Sequence, residues 1–344
     1  MTVKPMPLLI AAAFSAPVFG QTPSQGAEKV FHLTYVDTPQ WAQEIVNIMR
    51  SIAEIQQVAL DSAGRNMTVA GTADQVALAG WLLPQLDKPA GQPAPQNPPT
   101  PDYRLGGSSS AVARVFPMAP ADTPRQLQEI VNALRSVFEI QTIMTCNRSS
   151  VIVARGTADQ ITGTEWALRA LDQQPATPGT VLSYTYTDPR TAITAASNTV
   201  RIVFLANATN PQAVQEVVNS VRSIVETQRI VAYNEARALV MRDMPDRIAM
   251  ALWMIDALDK PAAAAASQSA SVVQYPMAGT TEVARVFYAS HASTAEAIQN
   301  LVNQVRTTTR MQRVVACSSP QAVVLRGTTG QVAMAATLIQ EARM

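Results

Sequence analysis

One pattern recurs four times along the chain, and that recurrence limits the possible folds more than any other feature. Arg50 in EIVNIMRS returns as Arg135 in EIVNALRS, Arg222 in EVVNSVRS and Arg306 in NLVNQVRT, at spacings of 85, 87 and 84 residues. Asn47, Asn132, Asn219 and Asn303 stand three residues earlier, and Gln56, Gln141, Gln228 and Gln312 six later. Twenty-one residues after the arginine come Gly71, Gly156, Asp243 and Gly327. Thirty-one after it come Trp81, Trp166, Trp253 and, in the last copy, Thr337. Agreement at this many fixed offsets without a gap implies internal duplication, so the chain is an array of one small unit.

Each unit reads as β-α-β-β-α over about sixty residues. A β-rich run opens it: VFHL at 30–33, ARVF at 113–116, RIVFL at 201–205 and ARVFY at 284–288. Thr38-Pro39, Thr123-Pro124 and Asn210-Pro211 then place a side-chain oxygen at a helix N-cap and proline at the first helical position. Thr294 takes this place without proline in the fourth copy. Ile45, Ile48 and Ile52, like Ile130, Leu134 and Val137, recur at helical spacing and predict an amphipathic first helix. Two β runs follow, divided by turns at 61–66 and 146–150. GTADQ at 71–75 and 156–160, and GTTGQ at 327–331, then break the strand and cap a second helix.

The boundaries expected are 28–89, 112–175, 198–261 and 281–344 for the modules, with linkers at 90–111, 176–197 and 262–280. The linkers are rich in Pro, Ala and Ser and read as semi-flexible spacers. VLSYTYT in the second reads as an extra strand. The fold class is therefore α+β, four tandem βαββα modules. Units of this size bury little surface and are individually marginal, so packing between neighbours is expected to add stability.

Lys4 followed by the short apolar stretch Met6–Gly20 reads as an export signal over residues 1–20, with cleavage before Gln21. No other stretch is long and apolar enough to span a membrane. The expected location is periplasmic, with association to the outer membrane. Basic and acidic residues number 26 and 25, which argues against gripping a nucleic-acid backbone.

Asp61, Asn66, Val69, Gly71, Thr72, Asp74 and the helix-ending Leu86-Asp87-Lys88-Pro89 form a pattern. It recurs in Met144 to Asp159 with Leu171-Asp172, and in Leu258-Asp259-Lys260-Pro261. This pattern resembles the periplasmic N-domains of bacterial secretins, the NolW-like, ring-building modules. The resemblance implies a KH-like βαββα fold, packed side by side in outer-membrane secretion or type IV pilus channels. It also implies protein partners of the envelope: a secretin, or the chain itself. Secretins follow such domains with a Gly-rich channel domain, whereas this sequence stops at Met344, so the expectation is a free-standing scaffold or adaptor. The alternatives carried beside it are an independent envelope module binding cell-wall glycan and a KH-like nucleic-acid binder. A G-x-x-G loop between helices, which the latter needs, is missing.

The sequence offers no nucleophile elbow, P-loop, C-x-x-C or H-E-x-x-H motif, so no enzyme, no cofactor and no metal is expected. His32 and His291 each occur in one copy only. Cys146 and Cys317 occupy equivalent positions and read as two free, semi-buried thiols. The recurring tryptophans read as core. The candidate interaction face is the repeated helix surface of Asn47 and Arg50, Asn132 and Arg135, Asn219 and Arg222, and Asn303 and Arg306. Glu44, Glu129 and Glu216 share that face, with Asn300 in the fourth copy. It is expected to join neighbouring modules or a partner.

Overall fold

The structure, a computed structural model, describes residues 26–89, 101–106, 111–119, 123–172, 177–186, 198–261, 273–277, 279–289, 292 and 294–342. The export segment read at 1–20 and His291 lie outside them. Module 1 runs β1 (Ala27–His32), α1 (Pro39–Ile52), β2 (Gln57–Leu60), β3 (Asn66–Gly71) and α2 (Ala73–Leu86). Module 2 runs β4 (Tyr103–Arg104), β5 (Ala111–Pro117), α3 (Pro124–Phe138), β6 (Thr142–Cys146), β7 (Val151–Thr157) and α4 (Ala158–Asp172). Module 3 runs β8 (Val181–Tyr186), β9 (Asn198–Phe204), α5 (Pro211–Val225), β10 (Ile230–Tyr233), β11 (Ala238–Asp243) and α6 (Pro245–Leu258). Module 4 runs β12 (Val273–Pro276), β13 (Glu282–Tyr288), α7 (Ala295–Thr309), β14 (Arg313–Cys317), β15 (Ala322–Thr328) and α8 (Thr329–Glu341).

The caps follow from side-chain chemistry. Thr38, Thr123, Asn210 and Thr294 each accept a backbone N–H from the residue three positions on, relieving one of the unpaired donors of the first turn. In the GTxxQ segments, threonine and glutamine form capping boxes at Thr72/Gln75 and Thr328/Gln331. The same glutamines donate to the end of the first helix: Gln75 to Glu54 O, Gln160 to Phe138 O and Glu139 O, and Gln331 to Thr309 O. A Cβ at Gly71 or Gly156 would lie 2.7 or 2.6 Å from the glutamine Oε1, which is why glycine precedes this motif. In module 3 Asp243 replaces the glycine and Arg247 the glutamine. Arg247 reaches the same carbonyl, Glu226 O, and pairs with Asp243. The aspartate that ends α2 also acquires a reason. Asp87 accepts the backbone N–H groups of Thr34, Tyr35 and Val36, and Asp259 those of Ala206, Asn207 and Ala208, pinning the loop after the opening strand.

The linkers are more than spacers. Each of the three contributes a short strand, β4, β8 or β12, that pairs antiparallel with the opening strand of the following module. Modules 2 to 4 therefore carry four-stranded sheets, ordered β4-β5-β7-β6, β8-β9-β11-β10 and β12-β13-β15-β14, whereas module 1 has β1-β3-β2. The extra strand read in VLSYTYT is β8. The other two lie in stretches read as plain linker, where only two to four residues pair and no alternation shows.

Each module lays its two helices on one face of its sheet, and the helices of the preceding module cover the other face. Module 1's core takes in Ala113, Val115, Cys146, Val151 and Val153 from the sheet of module 2. Module 2's core takes in Val200, Ile202, Phe204, Tyr233 and Val240 from module 3, and module 3's core Ala284, Val286, Tyr288, Cys317 and Val324 from module 4. The chain is thus one stack of alternating sheet and helix layers. A sheet apolar on both faces needs both covers, which small free-standing modules could not supply.

The two ends of the stack break the pattern. On the uncovered face of the first sheet, Glu28, Val30, Asn66 and Thr68 stand where all three inner modules bury apolar side chains. Val30 is 59% exposed, and its equivalents Val115, Ile202 and Val286 are buried. On the last helix layer, Gln304 is exposed where Ile48, Ala133 and Ser220 are buried. Val115→Lys is therefore expected to destabilise the chain by about 3 kcal/mol or more, since a charge enters a closed layer. Val30→Lys should shift it by less than about 0.5 kcal/mol. Urea denaturation of the two variants checks the contrast.

Candidate functional site

One set of recurring polar residues closes the three module junctions. Glu44 on α1 accepts both the backbone N–H and the side-chain Nδ2–H of Asn147, in the β6–β7 turn of module 2, at 3.0 and 2.9 Å. Glu129 does the same for Asn234 at 3.3 Å, and Glu216 accepts Ser318 N–H at 2.7 Å. The same sequence position thus closes every junction.

A second contact recurs at the helix C-termini. Arg155, Arg242 and Arg326, on the third core strand of modules 2 to 4, donate to Ile52 O, Val137 O and Ile224 O at 3.0, 2.7 and 3.0 Å. These are last-turn carbonyls, and a cation there also meets the negative end of the helix dipole. Each arginine pairs with a glutamate one or two residues past that helix: Glu54 at 3.0 Å, Glu139 at 3.4 Å and Glu226 at 3.2 Å. Arg229 and Arg313 reinforce the second and third pairs. Desolvation works against the Glu226 carboxylate, but Arg313 and Arg326 outweigh it and hold its pKa below the ordinary value. Arg242 is 1% exposed and also lies 4.7 Å over the Tyr186 ring.

The third contact is aromatic. Trp81, Trp166 and Trp253, read as core from sequence, are only half-buried. Each packs on a tyrosine of the linker strand leading into the next module. Ring centroids lie 5.4 Å apart for Trp81–Tyr103, 5.1 Å for Trp166–Tyr184 and 5.4 Å for Trp253–Tyr275. Each indole packs against a hydrophobic core, at its edge, where it serves two modules at once. The signal was present: the fourth copy has Thr337 in this place, and each linker carries a tyrosine.

The asparagines and arginines of the candidate face are placed differently from the glutamates. Asn47, Asn132, Asn219 and Asn303 each accept from a glutamine one turn earlier, Gln43, Gln128, Gln215 and Gln299, at 3.0 to 3.3 Å. All eight are exposed. Arg135, Arg222 and Arg306 donate to Ile143 O, Ile230 O and Val314 O in the second core strand of their own modules. Arg50 is exposed. The module-joining role expected of the whole face is therefore carried by its glutamates. Arg135, Arg222 and Arg306 fasten the first helix to its own sheet, and the asparagines stay in solvent as four equivalent amide pairs.

Cys146 and Cys317 are free thiols, each buried in a different junction. Burial pushes the first up to about 11 and the second to about 12, with Glu44 and Glu216 adding to it. His32 Nδ1 lies 3.1 Å from Asn66 Oδ1 on the exposed face of the first sheet. Among the described residues no group of three His, Cys, Asp or Glu side chains is placed to hold a metal ion, and no helix is long and apolar enough to cross a membrane.

Two expectations follow. Glu139→Ala removes the carboxylate facing Arg229 and the buried Arg242, and should destabilise the chain by about 3 kcal/mol. Arg310→Ala, at the equivalent backbone position facing no further module among the described residues, should change it by less than about 0.5 kcal/mol. Thermal and urea unfolding distinguish the two. The thiols set a pH dependence of definite sign. Above about pH 8.5 the unfolded chain gives up thiol protons that the folded chain keeps, so stability falls as pH rises toward the folded values. Urea midpoints should drop over that range in the native chain and drop less in Cys146→Ala/Cys317→Ala.

No protein-family model and no curated protein matches the sequence. Among solved structures, the chain is similar to Aeromonas hydrophila ExeD at 16% identity, over 68% of this chain and 41% of that one, with a TM-score of 0.16. It is similar to the type II secretion system secretin GspD of E. coli K12 at 13% identity, over 69% and 39% of the two chains, with a TM-score of 0.16. It is similar to XcpQN012 at 13% identity, over 69% of this chain and all of that one, with a TM-score of 0.21. The chain spans less than half the length of the first two.

Proposed function

We propose that this protein is a non-enzymatic, periplasmic scaffold or adaptor built from secretin N-domain-like modules, serving a secretion or type IV pilus system of the outer membrane. The observation that carries the reading is where the recurring polar residues go. Glutamate, arginine and the Trp–Tyr pairs lock four modules into one stack, and none of them converges on a cleft with an acid, a base and a nucleophile. The secretin-like pattern around Asp61 to Pro89 and the signal-like N-terminus support the family and the compartment.

The partner surface in this reading is the flank of the stack. Gln43 and Asn47, Gln128 and Asn132, Gln215 and Asn219, and Gln299 and Asn303 present one exposed amide pair per module, outside every junction. Four copies on one stack favour multivalent contact, because the first engagement raises the effective concentration of the rest. A photo-crosslinking side chain at Asn132 or Asn219, in intact envelopes, is expected to capture a channel-forming secretin while the melting temperature stays unchanged. Recovery of no secretin at either position overturns the adaptor reading.

A further inference from the structure

The stack presents two unfilled halves of its own junction: the outer face of the module 1 sheet and the outer face of the α7–α8 layer. Among the described residues nothing covers either. Each inner junction supplies a template for what these faces would meet, and the substitutions at the two ends match one another.

On the helix side, Arg310 occupies the position of Glu54, Glu139 and Glu226, in the same left-handed backbone conformation at φ 56°. On the sheet side, Ala70 occupies the position of Arg155, Arg242 and Arg326. Glu28 is paired opposite it, where Ala113, Val200 and Ala284 stand opposite those arginines. The inner junctions set acid on the helix end against base on the sheet, and the ends carry the reverse. The exchange shifts the sheet charge by one strand, about 5 Å, within the reach of two long side chains. A second exchange agrees with it. Asn300 replaces the junction glutamate of α1, α3 and α5, keeping a carbonyl acceptor without the charge. Asp61 replaces Cys146, Tyr233 and Cys317 at the turn such a helix would face. A glutamate at 300 would meet that acid, and an asparagine does not.

Each face also keeps one large exposed apolar side chain at the corresponding place. Val30 is 59% exposed at the position of Val115 and Val286. Met334 is 49% exposed at the position of Leu78, Gly163 and Met250, and Leu78 and Met250 belong to the same buried cores as those valines.

We infer that these two faces bind each other between chains, so that the α7–α8 layer of one copy docks on the module 1 sheet of a second through a charge-reversed version of the inner junction. The reversal keeps the end faces from competing with the inner ones, because an end helix layer would set Arg310 against the arginine of an inner sheet. The polar replacements and the missing Trp–Tyr pair make this joint weaker than the inner ones. The association is head-to-tail, reversible and salt-sensitive.

The test is sedimentation of the purified chain from micromolar to near-millimolar concentration at low and high salt. The native chain should associate, at least about tenfold more weakly at high salt. Glu28→Arg alone and Arg310→Glu alone should each stay monomeric with unchanged melting temperature, since both side chains are exposed. Mixing the two variants should restore association, because each then offers the face the other needs. A native chain that is monomeric throughout, association that neither substitution alters, or variants that fail to associate when mixed would each overturn the proposal.

Discussion

The structure depends on sheets that are apolar on both faces. In modules 2 to 4 one face meets the module's own helices and the other meets the helices of the module before. Val153, Val240 and Val324 lie at the same place in the three sheets, each essentially without solvent contact under a neighbour's helix. A sixty-residue unit with one sheet and two helices has too little interior to be comfortable alone. Sharing each helix layer between two sheets makes a continuous core out of four marginal ones. It also ties module orientation to side-chain packing, to which the linker tyrosines contribute.

Polar chemistry at the junctions is arranged around that apolar contact. The clearest sign is the residue just past each first helix. A left-handed backbone there ordinarily selects glycine, yet Glu139 adopts φ 53° and Glu226 φ 65°. Glycine would remove the backbone cost but also the carboxylate, and that carboxylate is what holds the arginine of the next sheet. The junction requirement overrides the local preference. The same conformation is kept at Arg310, where the charge is the opposite one.

Much of this was legible in the residues. Fixed offsets gave the repeat, Thr-Pro and GTxxQ gave the helix starts, and alternating apolar runs gave the core strands, because each signal is local. What stayed hidden depends on residues far apart in sequence. Arg50 and its equivalents stand out as invariant, yet Arg135 only ties a helix to its own sheet, while the quieter Glu129 reaches across to Asn234. Tyr103 and Tyr275 lie in stretches whose Pro, Gly, Ser and Ala content masks two to four residues of strand. The tryptophans looked like core because large aromatics usually are. Only their absence from the fourth copy set them apart as pieces of a shared boundary. The polar outer face of module 1 was likewise visible as Glu28, Asn66 and Thr68, but their meaning required knowing which face each strand turns outward.

The stacking has a direction. The neighbouring module's helix layer that covers a sheet's second face is always encoded upstream of that sheet, while the module's own second helix follows it. A chain that emerges amino-terminus first therefore has that outer lid made before the sheet beneath it, and only the module's own second helix remains to be delivered.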